Sequence, residues 1–116
     1  MKRFLAVFTG APTAMASWER LSETERRALE AKGVAAWKKW AQDHADAIVE
    51  MGGPLSRTRK VDRQGVTDVR NNLGGFTIVQ AQSQDAAARL FLDHPHFTIF
   101  PGDGVVVMEV LPIPPG

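Results

Sequence analysis

The chain has 116 residues and no cysteine, and its 14 lysine and arginine residues nearly balance 13 aspartate and glutamate residues, for a formal net charge of +1. This length suits one domain, 1–116. The lack of cysteine excludes disulfides and thiolate metal ligands and agrees with a cytoplasmic location. The near-neutral charge argues against nucleic acid as a partner. No apolar run approaches the roughly 20 residues that span a membrane, so we expect a soluble protein.

The N-terminal segment predicts a strand that ends in a turn. Residues 3–9 are rich in aromatic and branched side chains, and Gly10 and Pro12 follow them directly. The next stretch, residues 14–21 around Trp18, fits either one loose helical turn or an ordered loop, because its periodicity favours neither.

A long first helix is predicted over residues 23–51. Ser22 and Glu25 have the spacing of a capping box. Gly33 leaves open whether the helix kinks or breaks there. The apolar face of this helix recurs every three or four residues; its members are Trp37, Trp40, Ala41, His44, Ile48 and Met51.

Glycine and proline at 52–54 are expected to end this helix. Residues 55–62 then suit an exposed or edge strand, and residues 63–73 a loop. Asparagine and glycine at 71–75 are typical of loops, because both tolerate positive φ. Residues 76–81 alternate as a half-buried strand does, and we expect the two strands to pair as a hairpin with a long connection.

The C-terminal third predicts a second helix and a last strand. Ser83 is a cap for a helix over 84–93, and Pro95 stops it. Residues 105–111 form the last strand, and the proline-rich tail 112–116 excludes further regular structure. The order is βαββαβ, which predicts an α+β, ferredoxin-like protein with a four-stranded antiparallel sheet.

Two helices cover only one face of such a sheet. Both faces of the first and last strands are apolar here, since Leu5 and Val7 alternate with Phe4 and Phe8. We therefore expect the second face to be buried against another copy of the chain in a two-fold homodimer.

The chain resembles the YCII-related, or DGPF-type, domains of the dimeric α+β barrel superfamily from Met1 to Pro112. The residues that carry the resemblance lie in the same order and spacing as in that family; they are Arg3–Phe8, Met51–Leu55, Gly75–Ala81, Ser83, Ala86–Ala87, His94–His96, Gly102 and Val107–Val110.

The resemblance implies protomers paired sheet to sheet, each with a pocket between helix and sheet. Family members often carry a histidine in the first helix and an acidic residue before the later proline, both proposed to be catalytic. Trp37 and His94 stand at the matching positions here. The resemblance therefore implies a subfamily whose pocket is built from tryptophan and histidine.

Two groups of residues are candidates for a site. Trp37, Trp40 and His44 share one helix stripe, where His44 is a candidate base and the indoles a stacking wall for a planar substrate; alternatively, all three belong to the core. His94 and His96 flank a rigid proline. His94 is a second candidate base, and His96 a candidate substrate-binding residue; alternatively, His94 completes the helix end and His96 is merely exposed.

Asn72 is a candidate donor to a carbonyl or enolate oxygen at the pocket mouth. Three histidines without a carboxylate at ligand spacing do not predict a metal site. The patterns favour a small-molecule enzyme of lyase, isomerase or oxygenase type that needs no cofactor and takes a small aromatic or acidic ligand. The alternative is a non-catalytic ligand-binding or dimeric assembly module.

Overall fold

A computed structural model describes residues 1–115 of the chain. Residues 110–115 have no regular structure, and Gly116, the end of the predicted irregular tail, lies outside the described residues. Within them the chain forms six strands and four helices, in the order β1 (Lys2–Gly10), α1 (Pro12–Glu19), α2 (Glu23–Asp43), β2 (Ile48–Pro54), β3 (Thr58–Asp62), β4 (Gly65–Val69), β5 (Leu73–Ala81), α3 (Gln84–Arg89), α4 (Pro95–Thr98) and β6 (Gly102–Glu109).

Four of the strands form one antiparallel sheet in the order β2-β5-β1-β6. The central strand β1 pairs with β5 on one side and with β6 on the other, and β2 pairs with the outer edge of β5. With β3 and β4 set aside, this is the strand order of a ferredoxin-like βαββαβ protein. The predicted fold class, α+β with a four-stranded antiparallel sheet, is confirmed.

One face of the sheet carries the core. Phe4, Ala6 and Phe8 alternate along β1 on this face and are buried. Trp40 from α2 and Phe91 from the turn after α3 pack against them in the same hydrophobic cluster. The helices therefore form a single layer on this side of the sheet.

The opposite face of the sheet carries two rows of apolar side chains across three strands. Leu5 stands between Ile78 and Met108, and Val7 between Phe76 and Val106. Val106 is 45% exposed and Met108 is 42% exposed. This face lacks the helix layer that covers the other side.

The first helix is shorter than its sequence predicted. It ends at Asp43 instead of Met51, and residues 48–54 form strand β2. Ile48 pairs with Val79 in the sheet, and Gly52 has φ of 67°, which a helix does not contain. Pairing with β5 thus replaces the helical continuation that the spacing of Ile48 and Met51 indicated.

Helix α2 does not break at Gly33, which is buried in its interior. Its capping box is present, with the Glu25 amide donating to Ser22 Oγ at 3.1 Å and the Ser22 amide donating to Glu25 Oε1 at 3.2 Å. The stretch around Trp18, whose structure the sequence left open, is helix α1. Among the described residues no helix is long and apolar enough to cross a membrane.

A separate hairpin, β3–β4, stands between β2 and β5. The sequence predicted a strand over 55–62 that pairs with β5 and a loop over 63–73. Instead β3 pairs only with β4, and β2 takes the place beside β5. Every residue of β4 is exposed, and the radius of gyration of 16.2 Å exceeds the roughly 13 Å typical of this chain length. The hairpin therefore projects from the body of the molecule.

The predicted second helix over 84–93 is shorter in the structure, and a separate short helix follows it. Helix α3 ends at Arg89, and irregular turns lead to Pro95, which begins α4 instead of only stopping a helix. Proline suits this first position because the amide it lacks has no helical partner there. His94 caps α4, since its Nδ1 accepts a hydrogen bond from the His96 amide at 3.0 Å.

Candidate functional site

A cavity of about 550 Å³ lies between helix α2 and the sheet. Helix α2 forms one wall, strands β2 and β5 form the floor, and the segment after α3 closes one end. The residues that line it are mostly apolar; they are Phe8, Val34, Trp37, Lys38, Ala41, Met51–Pro54, Gly74–Thr77, His96 and Phe100.

Glycines at the floor leave the space for this cavity. Gly75 stands opposite Phe8 on the helix-facing side of the sheet, where a larger residue would fill the room under α2. A Cβ on Gly75 would lie 3.1 Å from the carbonyl oxygen of Gly53 and 3.4 Å from the Phe8 ring. The sequence predicted loop glycines here because glycine tolerates positive φ; instead Gly74 and Gly75 lie in β5 with ordinary φ, and what Gly75 provides is space.

Aromatic rings dominate the cavity wall. The Trp37 ring lies 5.1 Å from the Phe8 ring and 6.1 Å from the Phe100 ring, both in tilted arrangements. Trp37 is half-buried, with part of its indole facing the cavity. Rings at these distances give a flat apolar ligand a surface for offset or edge contacts.

His96 is the imidazole of this cavity. Its Nε2 lies 2.7 Å from the carbonyl oxygen of Thr9. Because a carbonyl only accepts hydrogen bonds, Nε2 carries a proton, and in the neutral ring Nδ1 is the free acceptor. The Nε2 edge also packs directly on Gly102, where any Cβ would overlap the ring. Within residues 1–115 no hydrogen bond engages Nδ1, so this nitrogen is available to a ligand.

Two further polar groups line the cavity. Lys38 is exposed and borders the cavity, and none of the ion pairs among the described residues involves its ammonium group. Thr77 is buried, and its hydroxyl donates to the Met51 carbonyl at 2.8 Å. The cavity thus offers one imidazole and one cation in an apolar setting, which is the usual composition of a small-molecule site.

Trp40 and His94 lie one layer deeper, in a filled cluster. Trp40 is 7% exposed, and its indole Nε1 donates to the Leu90 carbonyl at 2.8 Å. His94 is fully buried, with its ring 4.5 Å from Trp37 and 4.7 Å from Trp40 in edge-on arrangements. Neither Trp40 nor His94 lines the cavity. The predicted roles of Trp40 in substrate binding and of His94 in catalysis stay predictions.

The environment of His94 keeps its ring neutral. Burial, together with smaller contributions from repulsion by His96 and His44, lowers the pKa of His94 to about 4. Since Nδ1 accepts from the His96 amide, the proton of the neutral ring sits on Nε2, which is buried without a hydrogen-bond partner among the described residues. To act as a base, His94 would have to release the His96 amide.

The two other predicted site residues lie outside the main cavity. His44 is the half-buried C-cap of α2, with its ring 5.2 Å from Trp40. Asn72 is exposed, accepts the Gly10 amide through its backbone oxygen at 2.9 Å, and borders a second cavity beside the start of α1. Of the six predicted site residues, the structure brings together Trp37 and His96 at the main cavity. Within residues 1–115 no group of three or more histidine, aspartate or glutamate side chains is placed to hold a metal ion.

Among the cavity side chains that sequence reasoning did not assign to the site are Phe8, Lys38 and Phe100. Lys38 follows Trp37 directly, so its position on the same helix turn was the one local signal. Phe8 was assigned to the core alone, and Phe100 lies in a stretch without periodicity after the second helix. The packing of Phe8 and Phe100 against Trp37 depends on contacts between segments that are far apart in the sequence.

Comparisons with known proteins show a likeness in fold. No family model and no curated protein matches the chain. Among solved structures, the chain is similar to 5-chloro-2-hydroxyhydroquinone dehydrochlorinase (TftG) from Burkholderia phenoliruptrix AC1100, in complex with 2,5-dihydroxybenzoquinone. The TM-score is 0.53 at 18% identity, over 91% of this chain and 90% of the other. The two proteins share their α+β fold.

Proposed function

We propose that this chain is a YCII-related protein that binds a small hydroxylated aromatic or quinone-like molecule in the cavity between α2 and the sheet. The observation that carries the proposal is that Trp37 and His96 line the same apolar cavity, with Nδ1 of His96 unengaged. A flat ring would contact Trp37 and Phe8, while its oxygen substituents would meet His96 and Lys38.

The chemical class of the ligand has a second support. The dehydrochlorinase with the similar fold holds 2,5-dihydroxybenzoquinone, a small planar ring with several oxygens. Such a ring matches a cavity with aromatic walls and few polar groups. The single cation at Lys38 favours the ionised form of an acidic hydroxyl.

For catalysis we propose a proton transfer that needs no bound cofactor. His96 Nδ1 takes the proton from a ring hydroxyl, while the Nε2–H bond to Thr9 holds the imidazole in place. The Lys38 ammonium stabilises the oxyanion that forms, and the imidazolium returns the proton later in the reaction. Lyase or isomerase chemistry on an oxygenated ring requires steps of this kind.

Ligand binding is tested by titrating 2,5-dihydroxybenzoquinone into the protein and following tryptophan fluorescence and melting temperature. We expect saturable quenching and a raised melting temperature for the native chain. His96→Gln and Trp37→Leu should weaken binding about tenfold or more. His44→Gln is the matched control, because His44 lies outside the cavity, and it should bind as the native chain does.

A native chain that binds no oxygenated ring would overturn the proposal. Equal weakening by His44→Gln would instead place His44 in the site, as the sequence predicted for its catalytic role. Catalysis is tested separately, as chloride release from 5-chloro-2-hydroxyhydroquinone. If the ligand binds and no chloride appears, the chain does not dehydrochlorinate this substrate, and the result favours the non-catalytic binding module.

We also propose that two copies associate through the helix-free sheet face. The two apolar rows across β5, β1 and β6 support this, because exposed apolar faces of this kind mark association sites. An isologous pair of such faces forms a closed two-fold dimer, which ends the association at two copies.

Light scattering after size exclusion tests the dimer at micromolar concentration. We expect twice the mass of the 12.7 kDa chain. Met108→Glu should shift the population to monomers, since it places a charge on the apolar face. Val61→Glu, at a position 75% exposed on the projecting hairpin, should leave the mass unchanged. A folded native monomer would contradict the proposed dimer.

A further inference from the structure

The main cavity has a neighbouring cavity that shares part of its lining. A second cavity of about 460 Å³ lies beside the start of α1 and the residues that lead into β5. Gly74, His96 and Phe100 line both cavities. Because Gly74 has no side chain, the His96 imidazole and the Phe100 ring are the side chains that the two linings share.

The Phe100 ring is held in this position by two helices. Trp18 of α1 and Trp37 of α2 both have their rings 6.1 Å from it. On α2, the ring lies directly over Gly33, where a Cβ would come within 2.5 Å of Cε2 and Cζ. The ring therefore rests on the backbone of the helix.

The backbone conformation of Gly33 does not require glycine. The residue lies in the interior of α2, where its φ is not positive and where alanine is the better helix former. The three heavy atoms nearest to an added Cβ all belong to the Phe100 ring. Helix α2 thus has glycine, which is unfavourable in a helix, at the position where the Phe100 ring packs against its backbone.

We propose that Phe100, seated on Gly33, determines the length of ligand that the site accepts, by closing the main cavity against the second one. This inference rests on the proposed function and extends it to specificity. A single oxygenated ring lies in the cavity against Trp37 and Phe8, and a second ring attached to it meets Phe100. Without the Phe100 side chain, the second ring extends into the neighbouring cavity.

The test compares a short and a long probe, hydroquinone and 4-hydroxybiphenyl, on four forms of the full chain. These are the native protein, Phe100→Ala, Phe100→Leu and Phe97→Ala. Phe97 is a matched control, because it is a half-buried phenylalanine of α4 that lines neither cavity. Dissociation constants are measured by tryptophan fluorescence.

We expect Phe100→Ala to raise the affinity for 4-hydroxybiphenyl relative to hydroquinone at least tenfold, and Phe100→Leu to raise it less. Phe97→Ala should leave the ratio unchanged. An unchanged ratio in both Phe100 variants, or an equal change in Phe97→Ala, overturns the inference. If the native chain binds neither probe, the proposed function fails. The role of Phe100 is then upheld only if the Phe100→Ala variant binds 4-hydroxybiphenyl, and it is overturned if that variant does not.

The contact between the Phe100 ring and Gly33 is tested without a ligand. Gly33→Ala should lower the melting temperature of the native chain, because the new methyl group collides with the ring. In the Phe100→Ala background the same substitution should raise the melting temperature, because alanine favours the helix. The same sign in both backgrounds would show that Gly33 does not position Phe100.

Discussion

Two tryptophan–histidine pairs lie side by side in this molecule, and their surroundings differ. Trp40 and His94 are enclosed by Phe91 and the sheet, and the Trp40 indole N–H is bonded within the protein. Trp37 and His96 border an open cavity, and His96 keeps one ring nitrogen unengaged. The indoles are one helix turn apart. Residue type alone therefore does not separate core from site; the difference comes from what packs beside each pair.

The largest expected effect is on stability, and it should distinguish the two tryptophans. Trp40→Ala removes a buried ring and leaves the Leu90 carbonyl without its donor, so we expect a loss of about 3–5 kcal/mol in the free energy of unfolding. Trp37→Ala removes a ring that is partly exposed to the cavity and should cost about 1–2 kcal/mol less. Urea unfolding followed by circular dichroism measures both.

Equal losses in these two variants would contradict the distinction between a filled cluster and an open cavity. A Trp40→Phe variant is the control for ring volume, since it keeps an aromatic ring and removes the indole N–H.

The second effect is a dependence of stability on acid that comes from the buried pair. The pKa of His94 is about 4 in the folded chain because burial disfavours the imidazolium, whereas an unfolded histidine titrates near 6.5. Unfolded chains therefore bind a proton first as the pH falls. The contribution of His94 to the free energy of unfolding is therefore complete above about pH 6.5. This contribution, on the order of 3 kcal/mol, is lost progressively as the pH falls toward 4.

His94→Asn is the matched variant for this measurement. Asparagine accepts the amide at an N-cap position and does not titrate, so the free energy of unfolding should fall less between pH 6.5 and pH 4 than it does in the native chain. An identical pH profile for both proteins would show that His94 is not the group responsible.

The smallest effect concerns the helix that carries both indoles. Ser22→Ala removes the side-chain half of the capping box and should lower the free energy of unfolding by about 1 kcal/mol. Because Ser22 lies at the far end of α2, the affinity for 2,5-dihydroxybenzoquinone should stay unchanged. A large loss of affinity would mean that the cavity depends on the start of α2 and not only on its middle.

Much of the fold was predictable from local patterns. The alternation in β1 placed Phe4 and Phe8 on one face, and the hydroxyls of Ser22 and Ser83 marked the two helix starts that the structure shows. These features depend on residues close in sequence, so one sequence was enough. The end of α2 was not predictable in this way, because Ile48 and Met51 continue the helical spacing while their strand is fixed by pairing with β5, far along the chain.

The site was predictable only in part, for the same physical reason. Trp37 and His96 were singled out by residue type. The cavity that they line depends on the absence of a side chain at Gly75 and on the Phe100 ring, which comes from a distant segment of the chain. Neither a missing side chain nor a contact with a distant residue produces a periodic pattern in the sequence. His44, with the favourable spacing on the helix, is instead the C-cap of α2, outside the cavity.

The projecting hairpin is also the connection between two adjacent strands of the sheet. Strands β2 and β5 are adjacent in the sheet, where Pro54 pairs with Gly75, yet 20 residues lie between these two positions. The entropy of closing such a loop rises only slowly with its length. The hairpin β3–β4 therefore adds little to the entropic cost of pairing β2 with β5, and we expect a change in its length to leave the strand order of the sheet unchanged.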